Sequence, residues 1–228
     1  MARNKKLLYS EVEKCDYYFS FINPRAEIAG QAENKLFEHF GKRGEFFGNK
    51  HPIVLELGCG RWEHAVWLAE QFPNQNFIGL DIKGDRLCRA VRSSQEKNLK
   101  NVAFVRGIAQ HLDQIFDTDE LSAIRITHPD PRPKDKDTKR RFTSDRYMDI
   151  FQKILFSGGR IMLKTDDPAF FQYSLTQFMN QDWWKLLYST DDLRNSPYLE
   201  EQHWIVTGFE KKFLATGKKI CYAVFQKN

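Results

Sequence analysis

The sequence predicts an α/β protein: a mostly parallel sheet with helices on both faces, closed at one edge by an antiparallel hairpin. Three observations predict it. Short apolar runs alternate with segments of helical periodicity between residues 52 and 179. A glycine turn, Gly58-Cys59-Gly60, sits where the first such run meets the first such helix. Beyond Met179 the strand-like runs continue with no helical pattern between them. With 228 residues, 41% hydrophobic and 29% charged, the chain has the composition of a globular protein with one large core.

In order, residues 1–30 are mixed and polar, an N-terminal segment expected to be partly ordered, and residues 31–228 form a single domain. Residues 31–40 read as a helix and 41–51, rich in Gly and Lys, as a loop. Residues 52–57 (PIVLEL) are a buried strand. Trp62, Ala65, Val66, Ala69 and Phe72 then recur at helical spacing. Residues 76–80 are the second strand, and Leu87, Cys88, Ala90 and Val91 mark one face of the next helix. A third strand covers 102–106, a short helix 109–116 and a fourth strand 121–126. After a basic loop come a helix at 145–156, a turn at Ser157-Gly158-Gly159, a fifth strand at 160–164 and a helix at 168–179. Residues 183–188, 201–206 and 219–225 are the antiparallel strands.

Several function classes fall away. No run approaches the ~20 apolar residues of a membrane span, and the N-terminus lacks the apolar region of a signal peptide. A cytoplasmic protein without membrane partners is expected. Cysteines 15, 59, 88 and 221 make no CxxC pair, and the six His make no HExxH motif. Neither a disulfide framework nor a metal site is expected.

The net charge is only +5, but it is concentrated. Residues 132–141 hold six cations (Arg132, Lys134, Lys136, Lys139, Arg140, Arg141) and two acids, a net of +4. That imbalance suggests an anionic partner such as nucleic acid; a solvated loop is the plainer alternative.

The glycine turn points to a nucleotide-like ligand. Asp81 follows Gly58 by 23 residues, at the end of the second strand, where an acid typically accepts hydrogen bonds from a ribose diol. A dinucleotide site needs a third glycine, and Trp62 occupies that region. Glu56, just ahead of Gly58, would repel a pyrophosphate but suits the cationic end of S-adenosylmethionine. These features favour S-adenosylmethionine over NAD.

Residues 127–143, THPDPRPKDKDTKRRFT, carry the most specific signal. They resemble the motif of the bacterial tRNA (guanine-N7)-methyltransferases, in which PDPW precedes a basic run ending in KRR. Other segments agree in order: Asn23-Pro24-Arg25; GLDIK with Arg86 and Arg89; Lys164-Thr165-Asp166; and Thr207-Gly208-Phe209-Glu210 with Lys211, Lys212, Phe213 and Gly217. The resemblance spans residues 23 to 226. It implies a Rossmann-like class I methyltransferase fold with a seven-stranded sheet, and methyl transfer from S-adenosylmethionine to N7 of a guanine in tRNA, conventionally guanine 46 of the variable loop. Related enzymes occur as monomers and as homodimers.

The resemblance also implies roles. Glu56, Gly58, Gly60, Asp81 and position 108 would hold the cofactor. Asp130 would be the catalytic group at the reacting centre. Lys134, Asp166, Thr207 and Glu210 would contact substrate, and Lys136, Lys139, Arg140 and Arg141 would face RNA. Three positions depart from the pattern: Ile108 replaces an Asp, Trp62 a Gly and Arg132 the Trp after PDP. Ile108 and Trp62 support an alternative, a non-catalytic RNA-binding protein on a degenerate methyltransferase fold. An NAD-dependent oxidoreductase is disfavoured by Glu56 and the missing glycine.

Asp130 suits this chemistry for a physical reason. Guanine N7 bears a lone pair and no proton, so no general base is needed; the reactants must be placed in line. A carboxylate accepting hydrogen bonds from the guanine Watson–Crick edge grips more tightly as the ring becomes cationic. Pro129 and Pro131 restrict its backbone, although Pro-Asp-Pro is also an ordinary turn sequence. Asp166 is equally a candidate N-cap for the following helix, and Glu210 a surface ion pair. Tyr147, Trp183, Trp184 and Trp204 are candidates to stack on an extruded base, though such aromatics more often pack in cores.

Overall fold

Eight strands hydrogen-bond into one sheet in the order β1-β4-β3-β2-β5-β6-β8-β7. They are β1 (Tyr18–Phe21), β2 (Ile53–Leu57), β3 (Asn76–Asp81), β4 (Val102–Gly107), β5 (Leu121–Thr127), β6 (Leu155–Thr165), β7 (Trp184–Thr190) and β8 (Cys221–Lys227). The computed structural model describes residues 15–21, 41–60, 63–199, 206 and 208–228. The helix expected at 31–40, the strand expected at 201–206 apart from Val206, Asn23-Pro24-Arg25, Trp62 and Thr207 lie outside the described residues.

β1 to β6 pair in parallel, and β8 runs antiparallel to both β6 and β7. All residues of β2 and β3 are buried, as expected of parallel strands covered on both faces. The helices doing the covering are α1 (Arg43–Phe47), α2 (Glu63–Gln71), α3 (Gly84–Glu96), α4 (Leu112–Ile115), α5 (Asp145–Ile154), α6 (Pro168–Met179) and α7 (Gly208–Ala215). On one face α2 and α3 pack Ala65, Leu68, Leu87 and Val91 against Phe77 and Phe104. On the other, α4, α5 and α6 bring Ile115, Phe151 and Phe178 against Leu55, Ile124 and Phe225. The periodicity of α3 is borne out, since Leu87, Cys88, Ala90 and Val91 are all buried.

The structure departs from the sequence expectations in five places. Beyond Met179, where only strands and loops are expected, Gly208–Ala215 folds as α7. Tyr18–Phe21 is an edge strand paired with β4, so the described residues form eight strands where seven are expected. Within the loop expected at 41–51, residues Arg43–Phe47 make a short helix stopped by Gly48 in the left-handed conformation (φ 66°). The Gly158-Gly159 turn is absorbed into β6 as a bulge: Leu121 pairs with Leu155, and Ala123 already with Arg160. The N-cap of α6 is Asp167, whose side chain accepts the Phe170 N–H at 2.8 Å, and not Asp166. Asp166 therefore points elsewhere.

Among the described residues no helix is long and apolar enough to cross a membrane.

Candidate active site

At the carboxyl ends of β2, β3, β4 and β5 the chain leaves the sheet and opens a cleft of about 680 Å³, within the ~300–1,000 Å³ usual for small-molecule sites. Its floor is the glycine turn. Gly58 and Cys59 donate their N–H groups to Leu80 O at 2.8 and 3.1 Å, which folds the turn onto the end of β3. Gly58 and Gly60 have φ of 72° and 56°, conformations that side-chain-bearing residues rarely adopt. A Cβ at Gly58 would point at the Phe142 ring, 3.5 Å away across the cleft.

Asp81 locks this floor. One carboxylate oxygen accepts the Gly60 N–H at 2.9 Å and the other the Lys83 N–H at 2.8 Å. Arg86 lies 4.0 Å away. Glu56 sits beneath the turn, buried; its Oε1 lies 3.0 Å from Nδ1 of His64 on α2. Its Oε2 is equally buried, with no hydrogen-bond partner among the described residues. Burial pushes the His64 pKa down despite Glu56 beside it, so the imidazole is neutral and donates through Nδ1–H. Ile108, at the end of β4, contributes an apolar wall.

Asp130 stands at the mouth of the cleft, exposed. Arg132, in the position of the expected Trp, is its partner: the backbone N–H of Arg132 donates to Oδ1 at 3.1 Å and its Nε lies 3.2 Å from Oδ2. His128 and Arg132, on either side of Pro-Asp-Pro, have φ of 46° and 49°. Left-handed backbone at non-glycine residues costs ~1–3 kcal/mol each and concentrates at functional sites.

His128 is a site residue that sequence reasoning missed. It lines the cleft, donates its N–H to Lys164 O at 2.8 Å, and places Nδ1 3.4 Å from Asp166 Oδ1. Its ring tilts against Phe213 at 5.3 Å. Burial and the Lys164 ammonium push its pKa down. Lys218 holds the other oxygen of Asp166 at 2.8 Å.

The basic run forms an exposed 3₁₀ helix, Asp135–Arg140. Lys134, Lys136, Lys139 and Arg140 are exposed, and Arg140 reaches the cleft. Arg141 behaves differently. Its guanidinium donates to Arg132 O at 3.3 and 3.1 Å and lies 4.2 Å from the centre of the Tyr173 ring, bracing the loop against α6. Glu210 is also directed inward: it is buried against Lys164 and Arg194. Of the aromatics, Tyr147 is buried yet lines the cleft. Trp183 and Trp184 lie at the opposite end of the sheet, where Trp184 packs edge-on against Phe178. Trp204 lies outside the described residues. Among the described residues no three His, Cys, Asp or Glu side chains cluster to hold a metal.

Comparison with known proteins agrees with this geometry. Residues 50–223 match a family profile described as "Putative methyltransferase". The chain is 41% identical over 198 residues to a tRNA (guanine-N(7)-)-methyltransferase of Cytophaga hutchinsonii, covering 86% of this chain and 90% of that one. It is 38% identical to the protein of the same name from Christiangramia forsetii, over 99% of this chain and 98% of the other. Among solved structures it resembles the 16S rRNA methyltransferase KamB, with a TM-score of 0.62 at 12% identity, covering 82% and 93% of the two chains. That likeness shows the fold alone.

Proposed function

The chain belongs to the tRNA (guanine-N7)-methyltransferase family, and from that premise we propose that it transfers a methyl group from S-adenosylmethionine to N7 of guanine 46 in the tRNA variable loop. The observation that carries the reading is the shared cleft, which joins a buried acid under a glycine turn to an exposed acid beside a basic helix. The cytoplasm, where tRNA is found, is the corresponding compartment.

The residues present fit the cofactor. The buried Glu56 Oε2 lacks a donor among the described residues, and Gly58 and Gly60 line the same cleft without side chains to fill it. When bound, S-adenosylmethionine supplies an electrophilic methyl group on a sulfonium. Glu56 would hold its cationic amino-acid end. Asp81, at the tip of β3, would take the ribose, and Ile108 would pack on the adenine. Asp130 would accept hydrogen bonds from the guanine edge and gain strength as positive charge enters the purine. Arg132 steadies that carboxylate. Asp166, held by Lys218 and facing His128, would bound the base pocket. Lys134, Lys136, Lys139 and Arg140 would neutralise phosphates, which position the tRNA without reading its sequence.

The test is nucleoside mass spectrometry of tRNA incubated with the protein and methyl-labelled S-adenosylmethionine. Labelled 7-methylguanosine at position 46 is expected. Binding of both ligands with no labelled 7-methylguanosine would leave only the non-catalytic RNA-binding reading.

A further inference from the structure

Glu56 has two carboxylate oxygens in different situations. Oε1 is taken by His64, and Oε2 is buried in the cleft wall with no hydrogen-bond partner among the described residues. Its neighbours in the sheet register explain why. On one side is Gly79, with no side chain to offer; on the other is Arg125, whose buried cationic charge faces the carboxylate without hydrogen-bonding Oε2. A buried carboxylate oxygen lacking a donor is unfavourable unless a ligand brings one.

His64 determines which oxygen is left over. It is buried, on the first turn of α2, eight residues beyond Glu56. Because its partner is a carboxylate, Nδ1 must carry the proton. As a neutral donor it fixes the Glu56 rotamer without cancelling the Glu56 charge. An imidazolium or a lysine there would form a closed ion pair and leave less attraction for an incoming cation.

We infer that His64 is a positioning residue for cofactor recognition: it holds Glu56 so that Oε2 faces the ammonium group of the cofactor's amino-acid end. The inference rests on the proposed function for the identity of the ligand and adds the residue that makes Glu56 selective. His64 borders the cleft, and it acts on recognition through its hydrogen bond to Glu56, so its effect should fall on the amino-acid end and not on the nucleoside.

That division gives the test. Calorimetric titrations would compare S-adenosylhomocysteine with 5′-methylthioadenosine, which keeps the nucleoside and lacks the amino-acid end. His64→Phe preserves the ring and removes the donor, with His64→Leu as a second donorless variant should Phe not pack. Each should weaken S-adenosylhomocysteine about tenfold or more, the size of one charge-assisted hydrogen bond, and leave 5′-methylthioadenosine within about twofold. His64→Asn, whose amide can donate to Glu56, should recover most of the loss. Equal weakening of both ligands would reduce His64 to a packing residue, and no weakening of either would remove its role; both overturn the inference. A wild-type protein that binds neither ligand would instead overturn the proposed function.

Discussion

Lys164 and Glu210 form a buried ion pair with Nζ and Oε2 2.5 Å apart, joining the end of β6 to α7 across 46 residues of sequence. Arg194 approaches the other oxygen of Glu210 at 3.4 Å. Desolvation pushes the Lys164 pKa down and Glu210 works against it. Because α7 supplies Gly208 and Lys212 to the cleft, this pair ties one wall of the site to the sheet. Lys164→Met should destabilise the protein by up to ~3–5 kcal/mol, since it removes the closer cationic partner of a buried carboxylate and leaves the longer Arg194 contact. Adding Glu210→Gln should restore part of that loss. Urea unfolding of the two variants measures the difference.

Asp130→Asn should separate binding from chemistry. Most tRNA affinity comes from phosphates, so equilibrium binding should change little. The methyl-transfer step should slow ~10²–10³-fold, as for the loss of one preorganised electrostatic group. Single-turnover rates at saturating tRNA and cofactor isolate that step. A rate near wild type would return Asp130 to the role of a turn residue.

The basic helix and Arg141 should part company on mutation. Lys136, Lys139 and Arg140 changed together to Ala should lower the slope of log K against log salt by about 0.7–0.9 per lost phosphate contact. Arg141→Ala should alter that slope less and instead loosen the 132–141 segment, because its guanidinium is engaged with Arg132 O and Tyr173. Filter binding of tRNA over a salt series distinguishes the two. Equal slope changes would mean that Arg141 leaves its internal partners on binding.

Acid should destabilise the fold in a defined window. His64 and His128 both have folded-state pKa values below the ordinary ~6.5. Below that pH the unfolded chain takes up protons that the folded chain refuses, so stability falls as pH drops from about 6.5 toward the folded values. His128→Phe should make the decline between pH 7 and 5 shallower. Urea midpoints at a series of pH values check it, and an unchanged slope would show that His128 protonates freely in the folded state.

The parts of the fold legible in sequence are those set by local pattern. β2 and β3 are short, mainly apolar runs, and α3 shows its buried face at helical spacing. β1 lies in a short aromatic run, Tyr17 to Phe21, that has strand character of its own; the polar average of residues 1–30 hides it, and β4 supplies the edge it pairs with. In the site, Glu56, Gly58, Gly60 and Asp81 were readable from spacing around one turn, and the structure gathers them in one cleft with Ile108 and Asp130. His64 and His128 were not, since an isolated His has no pattern and theirs depends on partners brought close by folding. Arg141 and Glu210 share the residue types expected of ligand contacts. Only the fold reveals that Tyr173 and Lys164 already engage them.

The position of β8 between β6 and β7 has a consequence for biosynthesis. β2 to β6 can each pair with a strand already made or soon to follow, but among the described residues β7 bonds only to β8, which the ribosome reaches some thirty residues later. Until then the edge of β6 that β8 will cover is a template for any passing strand. The nascent chain is therefore most prone to aggregate late in translation, after the cofactor cleft's parallel half has formed. A chain stalled with β6 outside the ribosome and β8 not yet emerged should be one that chaperones recognise, and release that lets β8 pair with β6 should end that recognition.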